Sequence, residues 1–282
     1  DTIRLINRRG KHSLEWETFS PLKDKGTRNL IERGDTLGVF YVESPATRQL
    51  LKKMRSGSFE DLVIASSIIR PAANRFINLF VERLHGKPYT PLHPLIRETL
   101  KETRGIMVYQ EDVARVAITV AGFSASEADG LRKVLSKKDR DRRLKAFRLR
   151  FFQGGRGKGI SEDVLERLWE MVLSFEGYSF CKSHSASYAL VSYRLAWCKT
   201  YYPLEFFVSV INNGGGFYGR QVYLDEARRH GARIMGPDIN KSLWEYSLEG
   251  DIIWAGLSQI REFPREKMEE ILRERERGGV YR

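Results

Sequence analysis

Apolar residues recur at helical intervals along most of this chain, and the spacing divides it into a series of amphipathic segments. Ile3, Leu5 and Ile6 mark a short opening helix, followed by a polar connection through Pro21. Residues 34–44 place Leu37, Val39 and Phe40 between turn-formers, which predicts a short strand or extended segment leading into a helix at Pro45. Residues 46–69 read as helical, with stripes Leu50, Leu51, Met54 and Leu62, Ile64, Ile68, Ile69. Pro71 ends that stretch, because proline disfavours helical geometry in the residue before it. Further helical patterns cover 72–84 and 96–103, and residues 105–120 carry a buried array of Ile106, Val108, Val113, Val116 and Val120.

Ala128, Leu131, Val134 and Leu135 then fall on one helix face, with Ser126 and Asp129 as its expected capping box. The basic run 137–150 continues as helix surface, and Gln153–Gly159 reads as a flexible basic connection. Residues 161–175 form a well-marked amphipathic helix, with Glu162 and Asp163 in the first turn and the stripe Leu165, Leu168, Trp169, Val172. Helices are expected over 189–202, from Pro203 to about Ile211, over 221–230 with Gly231 as its cap, and over 267–277. Alternation over 243–248 and 252–255, turning near Gly250-Asp251, predicts two strands. The expected fold is mainly α with a small β element near the carboxyl end.

Composition narrows the class. Of 282 residues, 41% are hydrophobic and 11% aromatic, enough to bury a core, which argues against wholesale disorder. Lys and Arg number 48 against 36 Asp and Glu, a net charge of +12, which favours a polyanionic partner, nucleic acid or nucleotide before membrane. No apolar run reaches the roughly 18 residues of a membrane span, and no secretory signal pattern is present. Cys181 and Cys198 lack zinc-site partners at suitable spacing and read as reduced thiols in a cytosolic protein. The chain opens with Asp1 in a helical pattern, which reads as a piece of something longer.

The chemistry-bearing stretch is Gly177–Tyr188, GYSFCKSHSASY. Two rings, Tyr178 and Phe180, precede a cation, Lys182, a helix-capping serine, Ser183, and an imidazole, His184. Unpaired N–H groups and the positive end of a helix dipole make an anion site, and Lys182 adds a compact charge suited to polyphosphate. The same residues also fit a capped helix with a solvated lysine and a core histidine. The run KKDRDRRLKAFRLR likewise fits either a polyanion-binding surface or a solvated helix face. Gln153–Gly159 lacks the Gly-Lys-Ser/Thr ending of a phosphate loop.

Lys182-Ser183-His184-Ser185, Tyr188, Leu190, Tyr193, Lys199, Tyr202-Pro203 and Glu205-Phe206 together resemble the fingers of bacterial C-family replicative DNA polymerases. Other blocks agree in order: Gly34-Asp35-Thr36 with Val39-Phe40 and Glu43-Ser44; Arg70-Pro71; Gly105 to Glu111; and Ala128-Asp129 with Leu131-Arg132 and Lys137-Lys138. The resemblance, colinear from about residue 30 to 282, implies a DNA-directed DNA polymerase that uses deoxynucleoside triphosphates and two Mg²⁺ ions held by aspartates of a palm domain. No segment here matches the palm's clustered aspartates. The implied segments are therefore a connection from the palm (1–32), helical fingers (33–235), and a small β element with the start of a helix-hairpin-helix-like region (236–282).

For the site, the resemblance implies that Lys182, Ser183, His184, Arg132, Lys137, Lys138 and Arg70 hold the triphosphate, with His184 or Lys182 as general acid. Tyr178 and Phe180 would stack on the nascent base pair. Arg140, Arg142, Arg143 and Lys145 would follow the template backbone. Expected partners are template-primer DNA, the nucleotide, the rest of the polymerase and a sliding clamp. Tyr109–Glu111 has no assigned chemistry, and Tyr188, Tyr193 and Trp197 read as core. Ala72-Ala73, Tyr41, Ser179, Cys181 and Glu262-Phe263-Pro264 depart from the family pattern, which fits a divergent or error-prone relative better than a main replicase. A non-catalytic DNA- or nucleotide-binding module on the same fold is the alternative.

Overall fold

A computed structural model of the chain describes residues 1–10, 13–135, 141–177 and 180–281. Among them it has thirteen α-helices and one three-stranded sheet, the mainly helical class expected from the spacing. Helices α1 (Thr2–Arg9) and α2 (Lys25–Glu32) precede α3 (Pro45–Met54) and α4 (Phe59–Ile68). The stretch 46–69 is thus two helices: Arg55 takes φ +48°, and Ser58 caps α4 by accepting from Asp61 N at 3.1 Å. Helix α5 (Asn74–Leu84) follows as predicted. The helix expected over 96–103 is instead a run of turns after a single 3₁₀ turn at Pro94–Ile96, because Arg104 and Gly105 both adopt left-handed backbone and reverse the chain.

Helix α6 (Gln110–Ala121) is capped by Asp112, whose Oδ2 accepts from Val108 N and Tyr109 N at 2.9 Å each. Helix α7 (Ala125–Leu135) starts earlier than expected, so its capping box is Ser124 with Glu127 rather than Ser126 with Asp129. Helix α8 (Asp141–Gly157) takes in most of the predicted flexible connection, leaving only a turn at Lys158-Gly159. Its glycines are packing positions: a Cβ at Gly154 would stand 2.0 Å from Ala121 O, and one at Gly155 would stand 2.3 Å from Leu165. Close approach of α8 to the end of α6 and to α9 (Glu162–Leu173) therefore requires them. The chain continues in α10 (Lys182–Tyr201), α11 (Pro203–Asn213), α12 (Arg220–Arg229) and α13 (Arg265–Gly278).

Two compact units result. One gathers Glu32–Gly34 and Pro45–Leu190; its core takes the buried side of α4, the stripe of α9 and the α6 face Val113, Val116, Val120. The other gathers Asp1–Ile31, Asp35–Ser44 and Val191–Arg282.

In this last unit, residues 35–44 form no strand. They fold as tight turns, with Thr36 Oγ1 donating to Val42 O at 2.6 Å and Gly38 N to Glu43 Oε2 at 2.8 Å. Gly38 and Tyr41 take positive φ, which a strand excludes. Lys199, fully buried, donates to Asp35 O and Oδ1 at 2.9 Å and to Leu37 O at 3.2 Å, with Glu226 Oε1 3.5 Å away. Glu43 also accepts from Phe217 N at 2.6 Å and Tyr223 Oη at 3.0 Å.

The sheet has strand β1 (Arg233–Met235) parallel to β3 (Ile252–Trp254), which pairs antiparallel with β2 (Ser247–Glu249). The predicted hairpin is present, turning at Gly250 (φ +63°), but its first strand is shorter than 243–248. Leu243 O and Trp244 O accept from Leu257 N and Ser258 N, which takes them out of the ladder. Strand β1 carries no sequence alternation and was not expected.

Candidate functional site

Helix α10 begins at Lys182, with Ser185 N donating to Cys181 O at 3.1 Å. Cys181 therefore holds the position before the helix, and Ser183 sits inside the first turn rather than capping it. The cap comes from elsewhere in the sequence: Glu111 Oε2 accepts from Lys182 N at 3.3 Å. Glu102 Oε2 accepts from Lys182 Nζ at 2.5 Å. Lys182, Ser183 and His184 are exposed, and the His184 ring lies 4.1 Å from that of Tyr188.

Arg132 joins this surface through Gln110. Its Nη1 donates to Gln110 Oε1 at 2.9 Å, and Gln110 N donates to Phe180 O at 2.9 Å, just before α10. Arg132 also donates to Asp129 Oδ1 from Nε (3.0 Å) and Nη2 (2.7 Å), while Lys133 pairs with the other oxygen of Asp129. Tyr109 lies beneath, 2% exposed, with Lys182 Nζ 5.8 Å from its ring centre. Its hydroxyl has no hydrogen-bond partner among the described residues. Burial, and then the charges of Glu102, Asp112 and Glu111, hold the phenol well above its ordinary pKa. Burial likewise raises the Asp112 carboxyl to about 6, against the two N–H groups it accepts from.

The other predicted residues fall in three places. Arg70 is interior, 3% exposed: its guanidinium lies 3.6 Å over the Phe175 ring and donates to Met107 O at 3.2 Å. Nε and Nη1 of Arg70 have no partner among the described residues, and burial lowers its pKa to about 10. The structure thus does not bring Arg70 to the surface that Lys182 and Arg132 share. Arg142, Arg143 and Lys145 are exposed on α8, whereas Arg148 and Arg150 of the same helix are paired with Glu166 and Glu127. Lys137, Lys138, Arg140 and Tyr178 lie outside the described residues.

Phe180 is half-buried at the entry to α10. Glu102, Gln110 and Glu111 were not read as site residues. Gln110 and Glu111 had a signal only in the Tyr109–Glu111 block, and Glu102 had none, because contacts across this much sequence leave no local pattern. Among the described residues, no three side chains of His, Cys, Asp or Glu are grouped to hold a metal ion, and no helix is long and apolar enough to cross a membrane.

The profile of the bacterial DNA polymerase III alpha subunit finger domain matches residues 1–159, and that of a helix-hairpin-helix motif matches residues 231–282. The DNA polymerase III subunit alpha of Caulobacter vibrioides is 36% identical over 290 aligned positions, covering 100% of this chain and 25% of that protein. The same subunit of Staphylococcus epidermidis is 33% identical over 93% of this chain and 25% of its own length. The error-prone DNA polymerase of Anaeromyxobacter dehalogenans is 36% identical over 92% of this chain and 24% of its own length. The chain thus spans about a quarter of the length of the curated relatives it matches.

Proposed function

This chain belongs to the bacterial DNA polymerase III alpha subunit finger-domain family, and from that premise we propose that it receives the triphosphate of an incoming deoxynucleotide at the start of α10 for template-directed DNA synthesis. The observation that carries the reading is Lys182. It stands half-exposed at the amino end of a 20-residue helix and is linked through the Gln110–Glu111 segment to Arg132. Helix start, ammonium and guanidinium together offer positive charge to several phosphate oxygens at once.

Phosphoryl transfer asks for alignment and neutralised charge more than covalent help. Lys182 and Arg132, with Lys137 and Lys138, hold the β- and γ-phosphates in this reading, and Ser183 lies within the same turn. Lys182 or His184 gives a proton to the departing pyrophosphate. Phe180 and Tyr178 flank the nascent base pair. Carboxylates of the palm, elsewhere in the polymerase, would hold two Mg²⁺ ions, which would supply charge neutralisation for the transfer. Arg142, Arg143 and Lys145, with Arg140, follow the template backbone, and residues 236–282 add a helix-hairpin-helix contact to DNA. Segments 1–32 and 33–235 serve as connection to the palm and as fingers. The rest of the polymerase and a sliding clamp are the protein partners, and the assembly works in the cytoplasm; this chain by itself does not polymerise.

Lys182→Ala in the full-length polymerase should raise the nucleotide KM, or lower kcat, by about tenfold or more, the worth of a charged hydrogen bond. Template-primer affinity should stay the same. Unchanged nucleotide kinetics would remove Lys182 from the site.

A further inference from the structure

We propose that Glu102 and Glu111 are internal stand-ins for phosphate, occupying the triphosphate's donors until the nucleotide displaces them. This rests on reading the start of α10 as the triphosphate site. Each carboxylate takes one donor that a phosphate oxygen would need: Glu102 accepts from Lys182 Nζ at 2.5 Å, and Glu111 accepts from the leading amide of α10 at 3.3 Å.

Neither contact is built to last. The Lys182 and Glu102 side chains are 48% and 47% exposed, so water competes for both ends of the pair. The Glu111 contact is longer than an ordinary N–H···O bond. Beneath Lys182 lies the buried Tyr109, its ring centre 5.8 Å from Nζ, in the field of the same two carboxylates. A polyphosphate can accept from ammonium and amide together, whereas each donor now needs a carboxylate of its own. Exchange thus trades two weak, separate contacts for one acceptor of higher charge.

The sign of a mutation's effect separates a stand-in from a strut. In the full-length polymerase with template-primer, Glu102→Gln and Glu111→Gln should each lower the nucleotide KM about two- to fivefold, the worth of an exposed ion pair. Both should also lower the inhibition constant of inorganic tripolyphosphate. If the Gln variants leave KM unchanged or raise it while Lys182→Ala still raises it, the stand-in role is overturned and the triphosphate site survives. If Lys182→Ala has no effect, both fall together. Carbodiimide footprinting of the unaltered enzyme needs no variant to fold: labelling of Glu102 and Glu111 should rise when nucleotide is added. Constant or reduced labelling overturns the proposal.

Discussion

Lys182 and Lys199 are the same side chain on the same helix, α10, and the surroundings give them different work. Lys199 is 0% exposed, and its ammonium donates to Asp35 Oδ1 and to the carbonyls of Asp35 and Leu37, with Glu226 as a further counter-ion. A buried charge persists only when its protons and its charge are both matched. The match here fastens the turns of residues 35–44 to α10 and α12. Lys182 is half-exposed, and among the described residues its ammonium pairs with one carboxylate, Glu102, that is as exposed as itself. One lysine is fixed because every alternative costs too much, and the other can exchange because its pair is worth little in water. Position in a family motif does not separate the two, since both belong to blocks that resemble the same polymerases.

Substitution should separate them most sharply in stability. Lys199→Ala leaves Asp35 and Glu226 facing a buried void and should cost about 3–5 kcal/mol by denaturant unfolding, whereas Lys182→Ala should cost less than about 1 kcal/mol. A small loss at Lys199 would break the contrast. Glu43→Ala should follow with about 2–3 kcal/mol, because Gly38 N, Phe217 N and the Tyr223 hydroxyl lose their shared acceptor.

Asp112 supplies a pH-dependent version of the same test. Its native carboxyl, raised to about 6, keeps a proton that the unfolded chain has already released. Its contribution therefore falls as pH rises from about 4 to about 6, and the full penalty stands above that range. Asp112→Asn keeps an acceptor for Val108 N and Tyr109 N and should remove that slope from the stability–pH profile; parallel wild-type and variant profiles would exclude it. The exposed side of the contrast extends to Arg142, Arg143 and Lys145. Replacing all three by Ala should leave stability nearly unchanged and flatten the salt dependence of DNA binding, by about 0.7–0.9 in log–log slope for each phosphate no longer neutralised.

Helices with a clear apolar stripe were legible in the sequence: α9 buries Leu165, Leu168, Trp169 and Val172 as the spacing requires. What escaped was decided by backbone geometry or by distant partners. Gly154 and Gly155 suggest a flexible link, yet they let α8 pack tightly, because a glycine's missing Cβ serves a close approach as well as a loose turn. Leu37, Val39 and Phe40 suggest a strand, but Leu37 and Val39 are buried within turns closed by Thr36, Glu43 and Lys199. At the site, Lys182 and His184 stood out by residue type and spacing, and Arg132 by the family resemblance. Ser183 was misplaced as the cap because the carboxylate that takes that role, Glu111, comes from a distant segment. Only tertiary structure shows that the positive end of α10 is already partnered.

The most direct test is lysine acetylation footprinting of the full-length polymerase on template-primer, with and without the matching deoxynucleoside triphosphate. Lys182 should react readily without nucleotide and be protected when it is added, while Lys199 should stay unreactive in both states. A Lys182 whose labelling is indifferent to nucleotide would contradict the placement of the triphosphate at the start of α10.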